Sequence, residues 1–199
     1  MKERLTITLD KDLLSMIDAT VDGVRVRNRS HAIEQLLIAS VKQIKPKKAV
    51  IFAGGHPITV NGRQMPVPMA IVRGRNIVDY ILDELKRNGI SEVIIAVGKD
   101  SESLLGHLGD GNKFGMIISY VKEESPRGTE GVLELVKDRV RDGPFFALNG
   151  DNIFTIDLDD MYKQHMANKA LATIALTPAD SRLRFGVTKL EGNRITSFT

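Results

Sequence analysis

The sequence predicts an α/β protein in two parts, a small N-terminal strand–helix–helix module and a larger C-terminal domain built on a mostly parallel sheet. Three observations predict it. Residues 4 to 9, Arg-Leu-Thr-Ile-Thr-Leu, alternate polar and apolar side chains, the period of a strand with one buried face. From Ala49 onward, short apolar runs alternate with helical stretches, the pattern of a parallel sheet covered on both faces. Between them, Lys42-Gln-Ile-Lys-Pro-Lys-Lys48 is basic and broken by proline, which marks a boundary.

In chain order, Leu5, Ile7 and Leu9 are the inward face of the first strand. Asp10 stands where a helix N-cap belongs, and Leu13, Leu14, Ile17 and Val21 follow on one helical face as far as Gly23. Ser30, with Glu34 beyond it, marks a second helix start, carrying Ala32, Ile33, Leu36, Leu37 and Val41 up to Pro46. The module therefore spans 1–44, the linker 45–48 and the second domain 49–199. In that domain Ala49 to Ala53, Glu92 to Val97 and Pro144 to Leu148 read as buried strands, and Ile77 to Asn88, Thr129 to Val140 and Leu158 to Asn168 as helices.

Composition narrows the function classes. The 199 residues are 42% apolar, enough for a core and too many for a disordered chain. The chain has no cysteine, which excludes disulfides and thiolate chemistry and fits a cytoplasmic protein. No secretory pattern and no membrane-length apolar run is visible. Residues 1 to 48 hold ten Lys or Arg against six acids, whereas the whole chain carries only +3. The excess positive charge thus sits in the N-terminal quarter, where it attracts a polyanion.

One strand and two helices cannot enclose a core, so the module needs a second copy, with the two strands paired as a ribbon. Arg4, Thr6 and Thr8 would then line its polar face, and such a ribbon fits the major groove of duplex DNA. Lys2-Glu-Arg-Leu-Thr-Ile-Thr-Leu-Asp10, with Leu13 and Asn28-Arg-Ser-His-Ala-Ile33, resembles the CopG/Arc/MetJ ribbon-helix-helix repressors. That resemblance implies base contacts by Arg4, Thr6 and Thr8, phosphate contacts by Asn28, Arg29 and Ser30, and a homodimer or a tetramer or higher assembly on double-stranded DNA.

The second domain contains, in order, Phe52-Ala-Gly-Gly55, Pro66-Val-Pro-Met69, Gly89-Ile-Ser-Glu-Val93, His107-Leu-Gly-Asp-Gly111, Gly128-Thr-Glu-Gly131, Leu148-Asn-Gly-Asp151, Asp157-Leu158, His165 and Ala172-Thr-Ile-Ala-Leu176. This series resembles the sugar-phosphate nucleotidyltransferases. The resemblance implies a Rossmann-like sheet and a nucleotide or sugar nucleotide held by Ala53, Gly54, Gly55, Gly128, Thr129, Asn149 and Asp151, with magnesium on Asp151. The Pro126-Arg-Gly-Thr129 loop keeps small residues that let backbone approach a phosphate. In that family the glycine loop continues into Thr-Arg and a lysine lies between two prolines. Here the loop reads Gly54-Gly-His-Pro-Ile-Thr59, the lysine position is Val67, and the sequence runs only to Ser197-Phe-Thr199, where a further lysine and aspartate would follow. Arg63, Arg73, Arg75 and His56 are the candidate replacements; His107 and His165 read as ordinary helix residues.

Together these features predict a DNA-binding transcription regulator, a repressor in type, whose catalytically depleted second domain senses a ligand or assembles dimers. The alternatives are an active sugar-phosphate nucleotidyltransferase with a DNA-binding or autoregulatory N-terminal domain, and an antitoxin or DNA-organising protein whose second domain grips a protein partner.

Overall fold

The computed structural model describes residues 4–43, 45–125, 128–178 and 186–198, and two compact units, Met1–Asp159 and Asp160–Thr199, are considered separately. Pro126, Arg127, Ile44, Lys2 and Thr199, which figure in the motifs above, lie outside the described residues, as does the side chain of Val41.

Residues 4–10 run without a ladder partner, and α1 follows at Lys11–Asp18. The expected strand is therefore not formed in the single chain, and Leu5 and Ile7 lie 79% and 47% exposed rather than inward. A strand exists only through hydrogen bonds to a neighbour, and none of the described residues pairs with this segment as a ladder. Asp10 caps α1 as expected, its Oδ1 accepting from the Leu13 amide at 2.8 Å. The helix ends at Asp18 instead of Gly23. Asp22 is the reason for the compact turn beyond it: its Oδ1 accepts from the amides of Val24, Arg25 and Val26 at 2.9, 2.7 and 2.8 Å. That competes with helix continuation, as side-chain-to-backbone bonds do. The second helix, α2, covers Arg29–Gln43 and is capped by Asn28 rather than Ser30, with Asn28 Oδ1 accepting from the His31 amide at 2.9 Å.

The remainder of the first unit is a four-stranded parallel sheet in the order β7–β6–β1–β8, with β1 Lys48–Ala53, β6 Glu92–Val97, β7 Ile117–Lys122 and β8 Phe146–Asn149. Two small antiparallel hairpins, β2 Ile58–Val60 with β3 Arg63–Met65 and β4 Ile71–Val72 with β5 Arg75–Asn76, lie between β1 and α3 Ile77–Arg87. Helix α4 (Glu102–Leu108) joins β6 to β7, and α5 (Gly128–Val140) joins β7 to β8. The segment 45–48 is already docked: the Lys47 carbonyl accepts from the amides of Ser91 and Glu92 at 3.1 and 3.0 Å, and Lys45 pairs with Asp159.

Both sheet faces are covered. Val50, Ile94 and Ala96 pack with Val132, Val136 and Val140 of α5, while Ala49, Ile51, Val93 and Ile95, of the opposite parity, are also buried. Alternating residues point to opposite faces, so two buried faces demand the continuous apolar runs seen in β1 and β6. Helix α3 buries Ile77, Val78, Ile81, Leu82 and Leu85 along one stripe, the spacing that marked it in the sequence. In the second unit, α6 (Leu158–Asn168, which begins in the first) leads to an antiparallel hairpin of β9 Thr188–Glu191 and β10 Arg194–Phe198. The Ala172–Leu176 motif lies in irregular chain. No described helix is long and apolar enough to cross a membrane.

Candidate functional site

Strand order along the sheet reverses between β1 and β8, since the chain grows outward from β1 through β6 to β7 and then returns to add β8 on the other side. Open parallel sheets bind ligands at this switch point, in the crevice beyond the carboxyl ends of the strands. A cleft of about 300 Å³ occupies that place.

All seven residues expected to hold a nucleotide line it: Ala53 at the end of β1 with Gly54 and Gly55 beyond it, Asn149 at the end of β8 with Asp151 beyond it, and Gly128 and Thr129 at the start of α5. Four glycines of the lining, Gly54, Gly55, Gly128 and Gly150, shape it in different ways. A Cβ on Gly150 would stand 2.9 Å from the Phe52 carbonyl oxygen and 2.9 Å from Pro68 Cγ, so only glycine lets β8 turn there. At Gly54 the near atom is the Glu123 carboxylate, 2.6 Å from an added Cβ, whereas Gly55 meets nothing within 4 Å and leaves the cleft mouth open to an approaching group. Gly128 has φ +70°, the left-handed region, at the point where the chain enters α5.

Asp151 is exposed at the cleft rim. Among the described residues no group of three His, Cys, Asp or Glu side chains is placed to hold a metal. A single carboxylate is nevertheless what magnesium needs when substrate phosphates and water complete its octahedron, so Asp151 fits that ion as part of a nucleotide complex. Val67, at the position where a lysine was expected, lines the wall beside Pro68. Glu123, which the sequence reading missed, lines it too and is buried to 7% exposure. Its signal was an acid just beyond an apolar stretch and before the glycine loop, but β7 itself went unread.

Of the candidate replacement cations, Arg75 is committed elsewhere. It pairs with Asp83 at 2.8 Å and lies over the Tyr80 ring at 4.9 Å, and the bond to Asp83 raises its pKa above the usual guanidinium value. Arg73 sits in the β4–β5 turn with φ +49°; Arg63 is exposed at the start of β3 and His56 is exposed after Gly55. His107 is more than a plain helix residue, since its Nε2 lies 2.7 Å from Asp79 of α3. His165 Nδ1 lies 3.0 Å from Thr173 Oγ1 within the second unit.

The residues assigned to DNA are placed differently. Arg4, Thr6 and Thr8 are exposed on the unpaired N-terminal segment. Arg29 is held by Asp18 through bonds of 2.7 Å and 2.6 Å, which lower the Asp18 carboxyl below and raise Arg29 above their ordinary values. Asn28 is used as the α2 cap, and Ser30 lies one residue inside the helix start.

The nucleotidyl transferase family matches residues 48–199. The chain is 29% identical over 154 residues to a D-glycero-alpha-D-manno-heptose 1-phosphate guanylyltransferase of Aneurinibacillus thermoaerophilus, covering 76% of this chain and 66% of that protein. It is 31% identical over 153 residues to mannose-1-phosphate guanylyltransferase 1 of Arabidopsis thaliana, covering 72% and 42%. Among solved structures, a Bacillus anthracis protein provisionally assigned as a glucose-1-phosphate thymidylyltransferase superposes with TM-score 0.68 at 25% identity, over 76% of this chain and 63% of that one. The chain thus spans two thirds or less of these relatives' lengths. Their names overturn the expectation of a transcription regulator with a retired second domain: three quarters of the chain matches proteins named as transferases.

Proposed function

The chain belongs to the nucleotidyl transferase family across residues 48–199, and from that premise we propose that it is an active sugar-phosphate nucleotidyltransferase. An oxygen of a sugar 1-phosphate attacks the α-phosphorus of a nucleoside triphosphate, the bond from that phosphorus to the bridging oxygen breaks, and pyrophosphate leaves. The observation that carries the reading is the cleft at the β1–β8 switch point, where the glycine turn, the α5 start and Asp151 converge.

Each part has a physical task. Gly54 and Gly55 let the nucleotide approach the backbone beyond β1. The first turn of α5, with Gly128 and Thr129, offers amides and the positive end of a helix dipole to phosphates. Asp151 would hold magnesium, which when bound neutralises charge on the triphosphate. With Val67 in place of a lysine, no cation is among the described residues that line the cleft, so in this reading the amides of the α5 start and magnesium would carry the charge neutralisation. The relatives' names divide between guanylyl and thymidylyl transfer, so they support the reaction class ahead of the base.

For residues 4–43 the reading is a ribbon-helix-helix pairing module that joins two copies of the enzyme. Leu5, Ile7, Leu13 and Met16 are exposed in the single chain, and a second copy would cover them. The proposal as a whole is tested by incubating the chain with magnesium, nucleoside triphosphates and sugar 1-phosphates and measuring pyrophosphate. Release that needs both substrates supports it, and silence across the panel refutes it.

A further inference from the structure

We propose that Asn88 and Lys45 are positioning residues for Asp151, acting through the start of α6, an inference that rests on the reading of Asp151 as the magnesium ligand. Asp151 lies between two fixed points. On one side the Gly150 amide donates to the Phe52 carbonyl at 2.9 Å, which ties the turn to β1. On the other, the irregular and mostly exposed residues 151–157 run to Leu158, the first residue of α6, which is buried.

Leu158 is held from another helix. Its amide is one of the first-turn donors that an α-helix cannot satisfy internally, and it donates to Asn88 Oδ1 at 3.0 Å, across 70 positions of sequence. Asn88 closes the C-terminal end of α3, and the chemistry of its neighbours orients its side chain. Nδ2 donates to the Glu84 carbonyl oxygen at 2.9 Å and to Glu84 Oε1 at 3.1 Å. With both acceptors on the amino side, the amide oxygen is the atom left to face Leu158.

One residue further, Asp159 pairs with Lys45, which lies in the segment leading from the N-terminal module to β1. The Lys47 carbonyl fixes that segment against the amides of Ser91 and Glu92. The start of α6 is thus gripped by α3 and by the linker together, and Asp157 beside it has a further interaction within the chain. A segment anchored at both ends is already ordered when a metal reaches Asp151. Freed at the α6 end, it has to be ordered as the metal binds, and that entropy is lost from the affinity. Lys45 also gives the N-terminal module a physical route to the site, since whatever moves the linker moves one of the two grips.

The test follows Mn2+, as a probe for magnesium, by electron paramagnetic resonance. The ion is titrated into the full chain with GTP and, separately, with dTTP, in the absence of a sugar 1-phosphate. Asn88→Ala, checked for fold by circular dichroism, should weaken Mn2+ in the ternary complex by about 10-fold or more, the scale of losing a group that orients a metal ligand. Lys45→Glu sets a carboxylate against Asp159 and should weaken it by about 2- to 5-fold, as an exposed pair allows. Arg87→Ala removes the Arg87–Glu84 pair at the same end of α3 but leaves the Asn88–Leu158 bond, so the affinity should not change. Unchanged affinity in Asn88→Ala, or an equal loss in Arg87→Ala, overturns the role of Asn88 while Asp151 keeps its own; unchanged affinity in Lys45→Glu removes the linker from it. If Asn88→Ala does not fold, Asn88→Ser decides in its place, because its hydroxyl stays at the α3 end and stops short of Leu158. No ternary complex in the unaltered chain, or one equally tight in Asp151→Asn, overturns the reading of Asp151 and this inference with it.

Discussion

Gly150 and Asp151 are consecutive residues with separable jobs, and substitutions distinguish them. Gly150→Ala forces a methyl against the Phe52 carbonyl oxygen and the Pro68 ring, so it should destabilise the chain by about 1–3 kcal/mol, the usual cost of overpacking, visible in thermal denaturation. Asp151→Asn changes an exposed rim residue, so the melting curve should stay put while turnover falls by at least about 100-fold, the scale of losing a metal's charge stabilisation. A variant that loses stability without losing turnover would remove Asp151 from the site. Asp151 was readable as a candidate only through the resemblance of Leu148-Asn-Gly-Asp151 to the transferases, because glycine followed by aspartate beyond a strand is by itself a common turn. Glu123 was not, since its burial arises from the approach of β1, β6 and β7, which no local pattern reports.

At the scale of elements, the α1–α2 turn depends on Asp22. Its three backbone bonds, that from Val26 foremost, hold the Asp22 carboxyl below the ordinary value. A lowered folded-state pKa means that the stabilisation is present at neutral pH and is lost as pH falls through that depressed value. An NMR titration should place Asp22 below an exposed aspartate; a midpoint at the ordinary value would contradict the turn. Asn28→Ala removes the α2 cap and should cost about 1 kcal/mol, read as faster amide exchange in the first turn of α2. Elements with one dominant pattern were legible in the sequence: β1, β6 and α3 declare themselves through continuous or striped apolar residues. The edge strand β7, with Ser119, Tyr120 and Lys122, has one neighbour and a mixed face, and the two-residue strands of the β4–β5 hairpin are too short for any period. The α2 start was misplaced because Asn28 and Ser30 are both good caps, and only the backbone decides between them.

At the scale of the molecule, the account joins a transferase domain to a pairing module. Leu5→Asp with Ile7→Asp should convert a dimer into monomers in analytical ultracentrifugation while far-ultraviolet circular dichroism keeps the α/β signal; a mass unchanged by the double substitution would exclude the N-terminal segment as the contact. The fold class was legible because alternating strands and helices constrain topology strongly. Whether the domain works was less legible, because counting expected charged residues such as the lysine at Val67 treats each cation as indispensable, while the reaction requires only that enough positive charge reach the phosphates. The most direct measurement is phosphorus NMR of the full chain with magnesium, a nucleoside triphosphate and a sugar 1-phosphate. The account predicts a nucleoside diphosphate sugar and pyrophosphate appearing in equal amounts, abolished in Asp151→Asn; unchanged substrates across the common triphosphates and sugar 1-phosphates would contradict it.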